Sequence, residues 1–329
     1  MGGGAATYVF VLCQIGIGAR TRGLTFFERL REVWGPFAWP WYMGTLVITV
    51  VVDAMILSLY AKMLQAFFYP DLATWILRLV LIGVAAWLAR QTLAVLARNV
   101  QVWFPISLLS LAILMLLAFP NARMPGGIRP VWPPEPQSVL QGVLQTGFLW
   151  SFPDAAVTMV VGLRRGTWPR VARLAGLSFA VQGLVLLALA VLLLGTLGPW
   201  PSETLMWPGI YLFVGLGPTS TSFLRPSMLI LPMWTASFVL FQAVRLFAQG
   251  ANLQGALRAP AQGRHVYTAI LAATVFACTL FLPDAPRTLD MLSRDVSPVA
   301  MVWAALQFGG TWLLAVVRGL KPVTEVVPP

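Results

Sequence analysis

Long apolar runs separated by short basic segments dominate the chain. About 20 consecutive apolar residues cross the hydrocarbon core of a bilayer, and nine runs near that length are predicted as membrane spans. They lie at 5–19, 41–65, 72–97, 100–119, 138–163, 174–197, 227–248, 265–283 and 296–317. The stretches between them are too short for a separate soluble domain. The pattern therefore predicts a single membrane domain over 1–329, an all-α integral membrane protein with about nine transmembrane helices.

Two connecting segments are rich in proline. The segment 120–137 contains six prolines, a density that disfavours helix and predicts an extended connector between the first four spans and the last five. The stretch 198–226 is interrupted by prolines around a short apolar centre, which predicts an interfacial or re-entrant loop. The segment 25–34 alternates apolar residues with Glu and Arg at helical spacing. It predicts either a helix lying in the interface or a solvated helix that extends a span.

Composition supports the membrane assignment. The chain has 58% hydrophobic and only 10% charged residues, whereas soluble domains carry about 25% charged residues. Soluble, disulfide-rich and disordered classes are therefore excluded. The net charge of +11 comes from arginines in short loops, so the bilayer, and no nucleic acid, is the expected partner.

The basic residues predict an orientation. With the N-terminus outside, fifteen Lys and Arg residues fall on the cytoplasmic side, Arg245 among them, and five fall on the other side. Lys62 and Arg78 lie near span ends and are assigned to neither side. Arg78 and Arg90 lie near the ends of the third span, where long side chains can reach the interface. Because cytoplasmic loops carry the excess of basic residues, we expect the N-terminus outside and the C-terminus in the cytoplasm.

Ionisable residues inside apolar spans are the main candidates for function, because each costs at least a few kcal/mol (about 2.5 or more) at bilayer depth. Asp53 lies in the second span, and Asp154 follows Pro153 in the fifth. The proline, with Gly147 and Ser151 nearby, favours a broken helix of the kind that binds substrates in transporters. A simple kink with a structural Asp154 is the alternative, and Asp53 has the same structural alternative.

Other chemistry has little support. Thr235 belongs to a group of polar residues in the span 227–248 that can face a cavity or join helices. Two cysteines and one histidine give no metal cluster, and phosphate-binding, dinucleotide-binding and zinc-protease motifs are missing from the sequence. We therefore expect no catalytic residues, no metal and no cofactor, and a protein that is not an enzyme.

The order of several short motifs resembles the spore germination protein, GerAB-type endospore permease family, the B subunits of germinant receptors. The motifs are, in order, Arg22 to Leu30 with Trp34-Gly35, Ala97-Arg98 with Phe104-Pro105-Ile106, Phe152-Pro153-Asp154, Trp207-Pro208, Phe223-Leu224-Arg225, and Trp234. The resemblance implies a bundle like that of amino acid/polyamine/organocation transporters, the LeuT/APC-like fold. Phe152-Pro153-Asp154 falls where members have glycine-glutamate in a broken sixth helix.

The chain departs from the family pattern at its start. Aligned by these motifs, the span 5–19 corresponds to the family's second helix, so we expect a bundle lacking the family's first helix, which contributes to the substrate site. Either the chain is a shortened member or its start lies too far downstream. In another register, 5–19 is the first helix and a later helix is lost, but the loop charges disfavour that arrangement.

The resemblance implies a membrane subunit of a spore nutrient-germinant receptor that binds a small nutrient, amino acid-like, and signals germination. Implied partners are A-type and C-type (lipoprotein) receptor subunits in the inner membrane of the spore. An amino acid or amine secondary transporter and a structural membrane subunit without ligand binding remain alternatives. The candidate ligand-binding residues are Asp53, Gly147, Ser151, Phe152, Asp154 and Thr235.

Overall fold

The structure, a computed structural model, describes residues 2–21, 24–122, 135–147, 168–198, 205–214, 227–260 and 263–320. These residues form helices and turns, with no strand among them. The helices are α1 Gly2–Arg20, α2 Phe26–Trp34, α3 Ala38–Phe67, α4 Thr74–Ala89, α5 Leu93–Ala118, α6 Pro136–Gln145, α7 Trp168–Leu197, α8 Pro208–Val214, α9 Ser227–Ala256, α10 Arg264–Leu280, α11 Ala285–Asp290, α12 Ser297–Ala304 and α13 Gly310–Val317.

Five helical segments in the described part of the chain are long and apolar enough to cross a membrane. They are Phe26–Phe67, Leu93–Ala118, Pro169–Leu197, Leu231–Ala256 and Ala285–Val317. Shorter apolar helices cover Gly4–Gly18, Thr74–Ala89 and Arg264–Leu280. The protein is therefore an all-α membrane protein. The predicted segment 138–163 begins within α6 and continues into residues outside the described ranges.

The boundary between α4 and α5 differs from the sequence prediction. The predicted spans meet near residue 98, but α4 ends at Ala89 and α5 begins at Leu93. The Thr92 side chain accepts a hydrogen bond from the Val95 backbone N–H, which caps α5. Apolar content continues across this cap, so hydrophobicity alone misplaces the break.

The helix α2 packs on the protein rather than facing lipid or water with its apolar side. A capping box between Thr25 and Glu28 begins the helix. Three of its buried apolar residues belong to one cluster with residues of α3, α9 and the C-terminal segment, and this cluster includes Phe26, Phe27, Leu30, Tyr42, Ala256 and Phe308. Arg29, expected on the polar side, is only 2% exposed and donates from Nε to the Leu24 carbonyl at 3.0 Å.

The main core lies where α3, α4, α9 and α10 meet. The helix α9 packs against α4, α10 and α5, and α3 packs against α4 and α10. Small and branched side chains fill this core, among them Ala54, Leu57, Ala85, Ala243 and Val275. On another side, α1 lies against α7, α6 and the C-terminal segment. Helices α3 and α9 thus flank the same core, and long polar side chains join them.

The C-terminal segment 285–317 is one continuous helical rod in which α11, α12 and α13 alternate with π turns. The π turns cover Met291–Val296 and Ala305–Gly309. The predicted proline-rich connector 120–137 overlaps α6 by two residues, because Pro136 occupies the first turn, where proline is tolerated. Within the predicted loop 198–226, α8 is helical and buries Ile210, Leu212 and Phe213.

Candidate functional site

A buried ion pair joins α3 to α9. Asp53 on α3 is 0% exposed, and Arg245 on α9 is 2% exposed. The Arg245 Nε donates to Asp53 Oδ1. The second carboxylate oxygen, Oδ2, accepts a hydrogen bond of 2.6 Å from Gln249 Nε2. The carboxylate is thus held by two side chains of a helix far from it in sequence.

The spacing of residues on α9 explains how one helix supplies these groups. Gln242, Arg245 and Gln249 follow each other at three- and four-residue intervals, which places them on one helix face. Gln242 Nε2 donates to the backbone carbonyl of Asp53 at 3.3 Å. The Arg245 guanidinium also lies 5.4 Å from the centre of the Phe241 ring. This face therefore forms a polar stripe on an otherwise apolar helix.

Two hydrogen-bond acceptors in this stripe have no donor among the described residues. Among the described residues, the amide oxygens of Gln242 and Gln249 are buried and have no hydrogen-bond partner. A buried polar atom without a partner is unfavourable by about 1–3 kcal/mol. The site therefore contains two acceptors beside a carboxylate, an arrangement suited to a donor such as water or an ammonium group.

The buried ion pair contributes little net free energy to holding the two helices together. Desolvation of a carboxylate and a guanidinium offsets much of their attraction, and apolar residues of similar volume often stabilise as well. Charged groups within membrane helices generally mark functional positions. The pair is therefore a candidate for function, and both oxygens of its carboxylate accept hydrogen bonds in this structure.

The structure corrects the predicted position of Arg245. It belongs to α9, which extends to Ala256, and is buried rather than part of an inner loop. The basic residues on the predicted inner side become fourteen against five. The predicted inner side therefore still carries more basic residues than the outer side, so the predicted orientation is unchanged.

Thr235 lies in another part of the α3–α9 contact. Its hydroxyl is 3.0 Å from the Tyr60 hydroxyl, and the Tyr60 ring stacks on Phe238 with centroids 4.1 Å apart. Ten residues separate Thr235 from Arg245, which is about 15 Å along a helix. Asp53 on α3 and Thr235 on α9 therefore both lie between these two helices, but they are too far apart to belong to one small binding site.

Gly147 lies at the end of α6 against the C-terminal rod. A Cβ at this position would overlap Met301 Cγ and lie 3.0 Å from Ser297 Oγ. Ser297 Oγ donates to the Leu144 carbonyl at 2.6 Å, next to this contact. Close packing requires the absence of a side chain here. The predicted site residues Ser151, Phe152 and Asp154, and the break at Pro153, lie outside the described residues.

Sequence reasoning did not identify the role of Arg78. It was expected to reach the interface, but only 7% of it is exposed. Its guanidinium donates to the Thr279 carbonyl at 2.8 Å and to Ser58 Oγ at 2.9 Å. Lys62 donates to the Pro283 carbonyl nearby. These cations join α4 and α3 to the end of α10, and their only sequence signal was their position inside apolar runs.

The described residues contain no group of three or more His, Cys, Asp or Glu side chains that could hold a metal ion. The chemistry of the site is instead that of a cation, an anion and amide groups. Such a set can bind a polar molecule and can exchange hydrogen bonds between two arrangements.

Comparison with protein-family models gives a match to the spore germination protein family over residues 3–285. The match includes α3 and α9, which carry the ion pair, and ends where the C-terminal rod begins. No curated protein matches the chain in a sequence search. The family is a permease-type membrane family rather than an enzyme family. Because the match covers most of its length, this germination-related membrane protein belongs to the spore germination protein family.

Proposed function

We propose that the protein is a membrane subunit of a spore nutrient-germinant receptor and that it binds a small, amino acid-like nutrient. The observation that carries this proposal is the Asp53–Arg245 pair, which is buried between two membrane helices. Family membership supplies the germination role. A buried site with one positive and one negative side chain is complementary to a ligand that bears both charges.

A zwitterionic amino acid is complementary to an opened form of the pair. Its carboxylate would bind the Arg245 guanidinium, and its ammonium group would bind the Asp53 carboxylate. The amide oxygens of Gln242 and Gln249 would accept further ammonium hydrogens. Both contacts of the closed pair would then be replaced, whereas a singly charged ligand would replace only one of them, and the loss of one charge from a buried pair costs about 3–5 kcal/mol.

The other candidate residues have separate proposed roles. Gly147 lies two residues beyond the end of α6 and precedes Ser151, Phe152 and Asp154 in the sequence, which we retain as proposed ligand contacts. Thr235 would mark the far end of the same helix pair, where its bond to Tyr60 holds α9 against α3. No residue is proposed to be catalytic, and no metal or cofactor is required.

Signalling follows from two arrangements of the pair. In the closed arrangement Asp53 and Arg245 bind each other, and in the open arrangement both bind the nutrient. The nutrient shifts the population toward the open form by its greater affinity for that form. The change would pass to A-type and C-type (lipoprotein) subunits in the inner membrane of the spore, with the N-terminus outside and the C-terminus in the cytoplasm.

The test compares binding with transport. Purified protein in liposomes is given radiolabelled amino acids, and both bound and internal label are measured. Saturable binding without accumulation supports the receptor, and accumulation against a gradient would establish a transporter instead. The variant Asp154→Ala should lose binding while its melting temperature is unchanged. Unaltered binding by that variant would remove Asp154 from the site, and no binding by the wild type would favour a structural subunit.

A further inference from the structure

A cavity lies between α5, α7 and α9, away from the ion pair. Its volume is about 340 Å³. Each helix contributes both apolar and polar side chains to its wall, among them Ser107, Leu108, Ser178, Gln182, Trp234 and Ser237. None of the residues that form the ion-pair site lines this space.

The cavity is large enough for a small organic molecule. A dry protein cavity of about 150 Å³ holds benzene, and ligand pockets start near 300 Å³. The described residues of the wall are mostly apolar and include four polar ones, Ser107, Ser178, Gln182 and Ser237. Such a combination is the usual composition of a small-molecule site.

The charge of the wall restricts the ligand. The described residues that line the cavity include no Asp, Glu, Lys or Arg. Among these residues a charged ligand would have no side chain of opposite charge, which disfavours zwitterionic amino acids and amines as ligands.

A hydroxyl pair provides the polar anchor. Ser107 Oγ and Ser237 Oγ lie 2.7 Å apart, so one of the two hydroxyls donates to the other. Each hydroxyl has one O–H and two lone pairs, and their mutual bond uses only one O–H. The second O–H and the remaining lone pairs are available to a group inside the cavity.

We propose that this cavity binds a neutral, largely apolar molecule that carries one hydroxyl or amide group. The apolar body would lie against Leu108 and Trp234, and the polar group would bond to the Ser107–Ser237 pair. This site is separate from the proposed nutrient site, because it recognises an uncharged ligand and uses a different part of α9. Its failure or success leaves the nutrient proposal unchanged.

Photolabelling tests the proposal with octanol that carries a diazirine. The full-length protein in liposomes is irradiated with this probe, and mass spectrometry maps the labelled peptides. We expect label on the segments that contain Leu108 and Trp234. Unlabelled octanol should compete, whereas octane and octylammonium should not, because only octanol is both neutral and able to bond to the serines.

Two matched tryptophan variants separate the cavity from the lipid-facing surface. Leu108→Trp fills the cavity, while Leu109→Trp adds the same ring at the adjacent residue, which is 63% exposed. We expect L108W to reduce cavity labelling about tenfold and L109W to leave it within about twofold. If L108W does not fold, the double variant Ser107→Ala/Ser237→Ala should reduce octanol competition about threefold to tenfold, the effect of losing a hydrogen bond.

Three results would overturn the proposal. Equal competition by octane would show a crevice for lipid chains only. Displacement by octylammonium would show that charge is tolerated. Labelling that is spread evenly over lipid-facing helices, or that L108W and L109W reduce equally, would show that the cavity has no ligand of its own.

Discussion

The substitution Asp53→Asn should strongly destabilise the protein, because it removes the negative charge that the Arg245 guanidinium binds in this buried pair. The pair is 0% and 2% exposed, so water cannot replace the lost partner. Asn retains the shape of Asp, but its amide nitrogen would face either the Arg245 donor or the Gln249 donor. One of these contacts therefore becomes repulsive, whereas the volume of the side chain hardly changes.

The expected magnitude follows from the burial. Breaking a buried ion pair by removing one charge costs about 3–5 kcal/mol. With an unfolding entropy of about 2.1 cal/mol/K per residue over the 329 residues of the chain, that corresponds to a fall in melting temperature of about 4–7 °C. The measurement is thermal unfolding of purified protein in detergent, with the variants prepared under identical conditions.

The chain offers a matched control. Asp290 and Arg294 form an ion pair of 2.7 Å, but their side chains are 56% and 70% exposed. Exposed pairs contribute about 0–1 kcal/mol, so Asp290→Asn should change the melting temperature by no more than about 1.5 °C. The two variants make the same chemical change and differ in burial.

A double variant tests whether the two residues act together. Asp53→Leu combined with Arg245→Met replaces the pair with apolar groups, which is often neutral or stabilising at buried sites. The double variant should therefore be more stable than Asp53→Asn. The stability losses of Asp53→Leu and Arg245→Met, measured separately, should not add up to that of the double variant. If they do add, or if Asp53→Asn melts like the wild type, the two side chains are not coupled and the reasoning fails.

Two further predictions concern packing and orientation. Gly44→Ala should destabilise the protein by about 1–3 kcal/mol, because a Cβ there overlaps the Trp303 ring. The control Gly83→Ala places its Cβ in open space and should be neutral or stabilising. Equal melting temperatures of the two variants would contradict this prediction. Reporter fusions after Arg258 should be cytoplasmic and those after Asp284 should be external, as the basic loops require, and the reverse result would invert the orientation.

Some features could be predicted from the sequence because they depend on local physics. Long apolar runs predict helices, since a membrane span must satisfy its backbone internally. Asp53 was identified because a carboxylate in such a run is costly. The amphipathic pattern of α2 also predicts a helix, although what covers its apolar side depends on the tertiary structure.

The partner of Asp53 could not be predicted because it depends on how α3 and α9 pack. The sequence places Arg245 near the end of an apolar run, where an arginine can belong either to a loop or to a helix. Gln242 and Gln249, one turn to either side, were the available signal, because they extend a polar stripe along one face. Arg29 escaped prediction for the same reason, since helical spacing shows a polar side but not whether it is buried.

The most direct test of the central claim is a binding titration that removes the ligand's charges one at a time. The wild-type protein is titrated with a zwitterionic amino acid that it binds, then with its methyl ester and its N-acetyl derivative, and the zwitterion is titrated into Asp53→Asn and Arg245→Met. The account predicts that each charge removal, on ligand or protein, weakens binding at least about tenfold. Folded variants that bind the zwitterion with wild-type affinity would contradict it.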